Sequence, residues 1–153
     1  MLRFEGDKDV SQTPTEVWLK LSDARFLVQC IPGTESVANA EPNKVMCTLR
    51  PGFAFVRGTL DLSVEVVDPV KDKSARILLN TKGIGTNSAV EASFRLTVHG
   101  TGTRVHWAAE VKTLGGLLKA VPQGLIKASA QKVISDALTI VETRLGQNTP
   151  PSS

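Results

Sequence analysis

Histidine and cysteine are the side chains that most readily move protons, attack electrophiles or hold a metal near neutral pH. This sequence has two of each: His99, His106, Cys30 and Cys47. His99 and His106 fall on the strand parity opposite to Phe94, Leu96 and Trp107, so neither is expected to serve an interior as general base or metal ligand. Neither cysteine has a base placed beside it by the sequence. Two thiols in a chain with a full core read as packed and reduced rather than as a disulfide framework. The pairs Gly83/Gly85 and Gly100/Gly102 do not lead from a strand into a helix, as a phosphate-binding loop must, and read as turns. Gly115-Gly116 differs, because it stands where the last strand passes into a long helix and could hinge the mouth of a pocket. No catalytic residue, metal or cofactor is expected, and what the sequence supplies instead is apolar surface.

The elements that would arrange this surface can be read from periodicity. Leu2, Phe4 and Val10 share one parity and Arg3, Glu5, Asp7 and Asp9 the other, as in a first strand. Thr13-Pro14-Thr15-Glu16 offers a capping threonine, a proline at the first helical position and a glutamate able to reach back, predicting a short helix from Pro14 to about Leu21. Asp23 can cap a second short helix carrying Phe26, Leu27 and Cys30, which Ile31-Pro32-Gly33 ends. After the turn Glu41-Pro42-Asn43, runs of period two continue to about Lys112. The inward sets are Val45, Cys47 and Leu49; Leu60, Leu62, Val64 and Val66; Ala75, Ile77 and Leu79; Ala92, Phe94, Leu96 and Val98; and Val105, Trp107, Ala109 and Val111. Turns at Asp68-Pro69, Gly83-Ile84-Gly85 and Gly100-Thr101-Gly102 make this an antiparallel meander.

Pro51-Gly52 suggests a bulge where the sheet curls. The object inside the curl is the stretch from Gly115 to Leu145, apolar at helical spacing. Pro122 breaks its start, so the continuous helix is expected from about Gln123 to Leu145, ~35 Å long. The fold class is α+β, a strongly curved antiparallel sheet around one long C-terminal helix. Residues 1–145 are expected to form the domain and 146–153 a flexible tail.

Composition narrows the function. Of 153 residues 41% are hydrophobic and 22% charged, ordinary for one globular domain. The net charge of +3 is a slight excess, and with no Tyr and no basic run interleaved with aromatics it argues against nucleic acid. The beginning of the chain is strand-like rather than signal-like, and no apolar run approaches the ~18 residues of a membrane span, so a cytoplasmic protein is expected. Binding an apolar small molecule requires only a concave lining with a few polar groups at the rim. The candidate lining is Phe53 and Phe55 from the bend, Phe94, Leu96 and Trp107 from the central strands, and Leu117, Leu118, Val121 and Leu125 from the helix entrance. Between Val111 and Ser135 the only charged residues are Lys112, Lys119, Lys127 and Lys132, candidates for contact with an anionic membrane or a partner protein.

Strand, two short helices, further strands and a long helix follow the order of the helix-grip, or START-like, fold of the SRPBCC superfamily. Phe4-Glu5-Gly6, Val17-Trp18-Leu19, Leu21-Ser22-Asp23 and Cys30-Ile31-Pro32-Gly33 resemble the carbon monoxide dehydrogenase G subunit (CoxG) family. Phe55-Val56-Arg57-Gly58, Asp68-Pro69, Gly83-Ile84-Gly85, Gly102-Thr103-Arg104 and Leu114-Gly115-Gly116-Leu117-Leu118 follow in that family's order, so the resemblance spans Leu2 to about Leu145. It implies about seven strands and a non-catalytic accessory of a molybdenum-containing CO dehydrogenase or related hydroxylase, binding a quinone- or lipid-like molecule at the inner face of the membrane. Longer relatives continue into a C-terminal anchoring segment, whereas this sequence stops at Ser153. Two alternatives stay open: a docking or assembly protein with no ligand of its own, and a small cyclase- or hydrolase-like enzyme of the same fold.

Overall fold

A computed structural model of the chain describes residues 2–50 and 58–147. The chain begins with β1 (Arg3–Val10), followed by two short helices, α1 (Pro14–Leu21) and α2 (Ala24–Gln29). Both helices start where their caps require. Thr13 Oγ1 accepts from the Glu16 amide at 3.3 Å while the Glu16 carboxylate accepts from the Thr13 amide, the reciprocal capping box. Asp23 caps α2 by accepting from the Arg25 amide at 2.9 Å. The Arg25 guanidinium on the same carboxylate holds Asp23 below the usual carboxylate range.

Six more strands follow: β2 (Thr34–Ala40), β3 (Lys44–Leu49), β4 (Leu60–Val70), β5 (Ser74–Gly83), β6 (Thr86–His99) and β7 (Gly102–Gly116). They form one antiparallel sheet in the order β1-β7-β6-β5-β4-β3-β2, a meander whose last strand returns to pair with the first. A 3-10 turn (Leu117–Ala120) leads past Pro122 into α3 (Gln123–Gln147). This is the START-like, helix-grip arrangement: a curved seven-stranded sheet, two short helices and one long C-terminal helix.

Several local readings change. β2 carries almost no burial, which is why no period-two signal marks it. The expected turn at Asp68-Pro69 lies inside β4 as an irregularity, with Asp68 at φ 51° and pairing interrupted between Val67 and Val70; the chain reverses at Lys71–Lys73 instead. Val98, read as inward, is 74% exposed because β6 there runs past the elements that cover it. The proposed bend at Pro51-Gly52 lies outside the described residues. β7 continues beyond Lys112 to Gly116, and Lys112 is an extra residue in its pairing with β6: Ala89 faces Thr113 and Val90 faces Val111. Such a bulge reverses side-chain parity.

The two ends of the sheet are built differently. At one, α1 packs on β6 and β7 and α2 on β3 and β4, and the Trp18 indole N–H donates to the Ser74 carbonyl at 3.2 Å. Val17, Val45 and Val64 are fully buried there, in one cluster with Leu96, Val105 and Leu145. At the other end stand Arg50, the Gly83–Gly85 turn and Gly116. Gly116 has φ 62°, and a Cβ there would lie 2.0 Å from the Gly85 carbonyl oxygen, so no other residue fits.

Candidate functional site

A helix laid across a sheet ordinarily buries its apolar stripe. α3 does so only near its two extremes, where Ile126 is 8% and Leu145 2% exposed. Between them Ala130, Val133, Ile134, Ala137, Leu138 and Val141 are half-buried and look into a cavity of about 650 Å³. The facing wall is formed by Leu62, Leu79, Val90, Phe94, Trp107 and Val111. The bulge at Lys112 lets both Val111 and Leu114 face this space.

The size of the cavity decides what it is. Its volume of about 650 Å³, partly open to solvent, falls within the roughly 300–1,000 Å³ of small-molecule pockets.

Several polar residues stand on this apolar wall, among them Lys8, Arg50, Thr81, Ser88, Ser129 and Lys132. Lys8, on the inward parity of β1, reaches Glu142 of α3 at 3.2 Å. Together with Arg144, which donates to the Gln29 side chain at 3.1 Å, it fastens the C-terminal half of α3. Thr81 and Ser88 face each other across β5 and β6 and share a hydroxyl–hydroxyl hydrogen bond on the cavity wall. Trp107 lies across Gly6 of β1, where a Cβ would come within 2.9 Å of the indole. Its buried indole N–H has no hydrogen-bond partner among the described residues.

Of the lining expected from sequence, Phe94, Trp107 and Leu118 are on the cavity wall. Leu96 is not: it lies past Phe94, beneath the short helices, and belongs to the packed core. Leu117 and Leu125 are 65% and 45% exposed and lie off the described wall. The 3-10 turn bonds Leu117 N–H to the Gly85 carbonyl at 2.9 Å, outside the cavity, and in the first turn of α3 it is Ile126, one residue on, that takes the inward position. Val121 is extended before Pro122 and also off the wall. Phe53 and Phe55 lie outside the described residues.

The inward sets read from the sequence contain only apolar residues and Cys47, and the structure adds Lys8, Thr81 and Ser88 to them. Extending the parities of Phe4 through Val10, of Ala75 through Leu79 and of Ala92 back through Val90 would have found them.

The four lysines separate into two kinds. Lys112 is paired with Glu110, whose carboxylate raises its pKa, and Lys132 with Asp136 at 3.0 Å. Lys119 and Lys127 are exposed and have no ion-pair partner among the described residues. His106 bonds Asp7 at 2.8 Å and His99 lies 3.6 Å from Asp9, both in the charged ladder away from the cavity wall. Burial pushes the Cys30 thiol up to about 11, with Arg144 opposing, and also raises Cys47, so neither is a thiolate at neutral pH. Among the described residues no group of three His, Cys, Asp or Glu is placed to hold a metal, and no helix is long and apolar enough to cross a membrane.

Solved structures share this architecture. A conserved protein from Geobacillus kaustophilus superimposes with a TM-score of 0.83 at 26% identity, over 95% of this chain and 96% of its own. A START superfamily protein from Mycobacterium smegmatis does so with a TM-score of 0.70 at 14% identity, over 96% and 99%. Among curated proteins none matches the sequence. The family model of the carbon monoxide dehydrogenase G subunit (CoxG) matches residues 6–146, a span reaching from the glycine beneath Trp107 to the end of the helix that closes the cavity. With a START-like fold surrounding that cavity, the chain belongs to the CoxG family, that of the carbon monoxide dehydrogenase G subunit.

Proposed function

We propose that this protein carries a hydrophobic, quinone- or lipid-like molecule in the cavity beneath α3, as a non-catalytic accessory to a molybdenum-containing CO dehydrogenase-type enzyme. Family and fold support a ligand-binding accessory role. The observation that carries the carrier reading is the apolar stripe of α3, which faces about 650 Å³ of open space instead of a packed sheet. An apolar ligand would bury that surface at roughly 25 cal/mol per Å². The site offers no activated nucleophile among the described residues, since its wall is almost wholly aliphatic and aromatic and the two thiols are held protonated.

A docking role is favoured by a separate observation. Ile84, Leu117 and Leu125 are exposed near Lys119 and Lys127, so the hollow end combines apolar and basic groups that suit a peripheral contact with an anionic membrane or with the enzyme. Such a contact would bring the cavity to the source of its cargo.

The test is organic extraction and mass spectrometry of the natively purified protein, with transfer of a prenylated quinone from liposomes. A stoichiometric quinone or lipid is the expected result. A ligand-free protein that transfers nothing, yet binds the enzyme, would replace carriage with docking.

A further inference from the structure

The cavity is not uniform along its length, and its polar groups differ in what they have left to give. Three cations stand on its described wall, and each is already matched: Lys8 with Glu142 at 3.2 Å, Arg50 with Glu35 at 2.8 Å, and Lys132 with Asp136 at 3.0 Å. All three pairs stand at the exposed rim, where each cation is already neutralised by its carboxylate, and an anionic ligand head deeper in the cavity would lie unpaired against aliphatic side chains. That deeper position carries the penalty of an uncompensated charge.

The Thr81–Ser88 pair is different. Each hydroxyl has one donor and two acceptor sites, and the bond between them uses one donor and one acceptor. One O–H and several lone pairs remain, facing the cavity in apolar company. Leu62 stands opposite Thr81 and Leu114 opposite Ser88 in the sheet. The pair lies two to three residues from the Gly83–Gly85 turn, at the hollow end. From Ser88 the wall runs along β6 through Val90 and Ala92 to Phe94, about 20 Å at the strand rise.

We infer that the cavity selects an uncharged amphiphile, with its carbonyl or hydroxyl head on the Thr81–Ser88 pair and its apolar tail running toward Phe94 and Trp107. This rests on the carrier reading above and adds the charge and orientation of the cargo. Lys8, the group an anion would seek, lies opposite Val105 on the neighbouring strand, toward the packed end. The two modes of binding would therefore point the ligand in opposite directions.

The experiment is displacement of Nile red, a neutral apolar dye, from the full chain by three probes of one chain length: hexadecanol, hexadecanoate and hexadecane, at about pH 8, where the acid is ionised. Hexadecanol is expected to displace the dye about tenfold more tightly than hexadecanoate. Thr81→Val with Ser88→Ala should weaken hexadecanol about 3- to 10-fold while leaving hexadecane unchanged. Thr81→Ser, which keeps the hydroxyl, should bind like the parent and so separate loss of a bond from loss of fold. Hexadecanoate binding as tightly as hexadecanol, and weakened by Lys8→Met, would overturn this inference and leave carriage standing. Failure of the dye and all three probes to bind would overturn both.

Discussion

The two ends of this molecule are made from the same strands and carry opposite kinds of interior. At the packed end β3, β4, β6 and β7 close against α1, α2 and the last turns of α3, and Val17, Val45, Val64 and Leu145 are almost wholly enclosed. At the hollow end the same sheet faces the middle of α3 across open space, and Leu117 and Leu125 point away from it. Stability and binding are thereby assigned to different places. One end can be tight because the other need not be.

The largest effect that would test this division is at Leu145. Leu145→Ala should cost ~2–5 kcal/mol in urea unfolding, because its surroundings cannot collapse. Leu125→Ala at the other end should stay within ~0.5 kcal/mol. Equal losses would mean that the hollow end is packed in solution.

Next in size is Gly6→Ala, whose methyl would meet the Trp107 indole at 2.9 Å. The expected cost is ~1–3 kcal/mol, accompanied by a shift in tryptophan fluorescence. An unchanged spectrum would show that the indole does not lie across Gly6.

A smaller effect sharpens the contrast further. Ala137→Phe puts a ring into the cavity and should change stability by less than ~1 kcal/mol while lowering dye binding severalfold. Ala75→Phe, the same change in the packed cluster, should destabilise far more. Smallest is a pH effect. Burial raises the folded Cys30 pKa to about 11, so the unfolded chain loses this proton first. The contribution is present below the ordinary thiol pKa and is lost as pH rises through about 11. Unfolding curves across that window should slope less in Cys30→Ala than in the parent.

Much of the packed end could be read from the sequence, because there each rule agrees with its neighbours. Thr13, Pro14 and Glu16 specify a helix start, and Val45 with Cys47, and Val64 with Val66, alternate as buried strands do. The long helix was also legible, its apolar spacing beginning just after Pro122. The hollow end was harder for a physical reason. A cavity wall and a packed core draw on the same side chains, so periodicity cannot separate Phe94, which faces the space, from Leu96, which does not. Reading parity only through apolar residues also hid Lys8, Thr81 and Ser88. β2 left no signal because both of its faces are largely exposed, and the extra residue at Lys112 shifts the alternation in a way the sequence does not announce.

The uneven fastening of α3 makes the helix a lever. Its fulcrum is the C-terminal half, where Leu145 is enclosed and Lys8 and Gln29 hold Glu142 and Arg144. Ile126 lies about 28 Å away along the axis. A tilt of about 10° at the fulcrum would swing Ile126 through roughly 5 Å, enough to unseat it from the wall while the enclosed half of the molecule barely stirs.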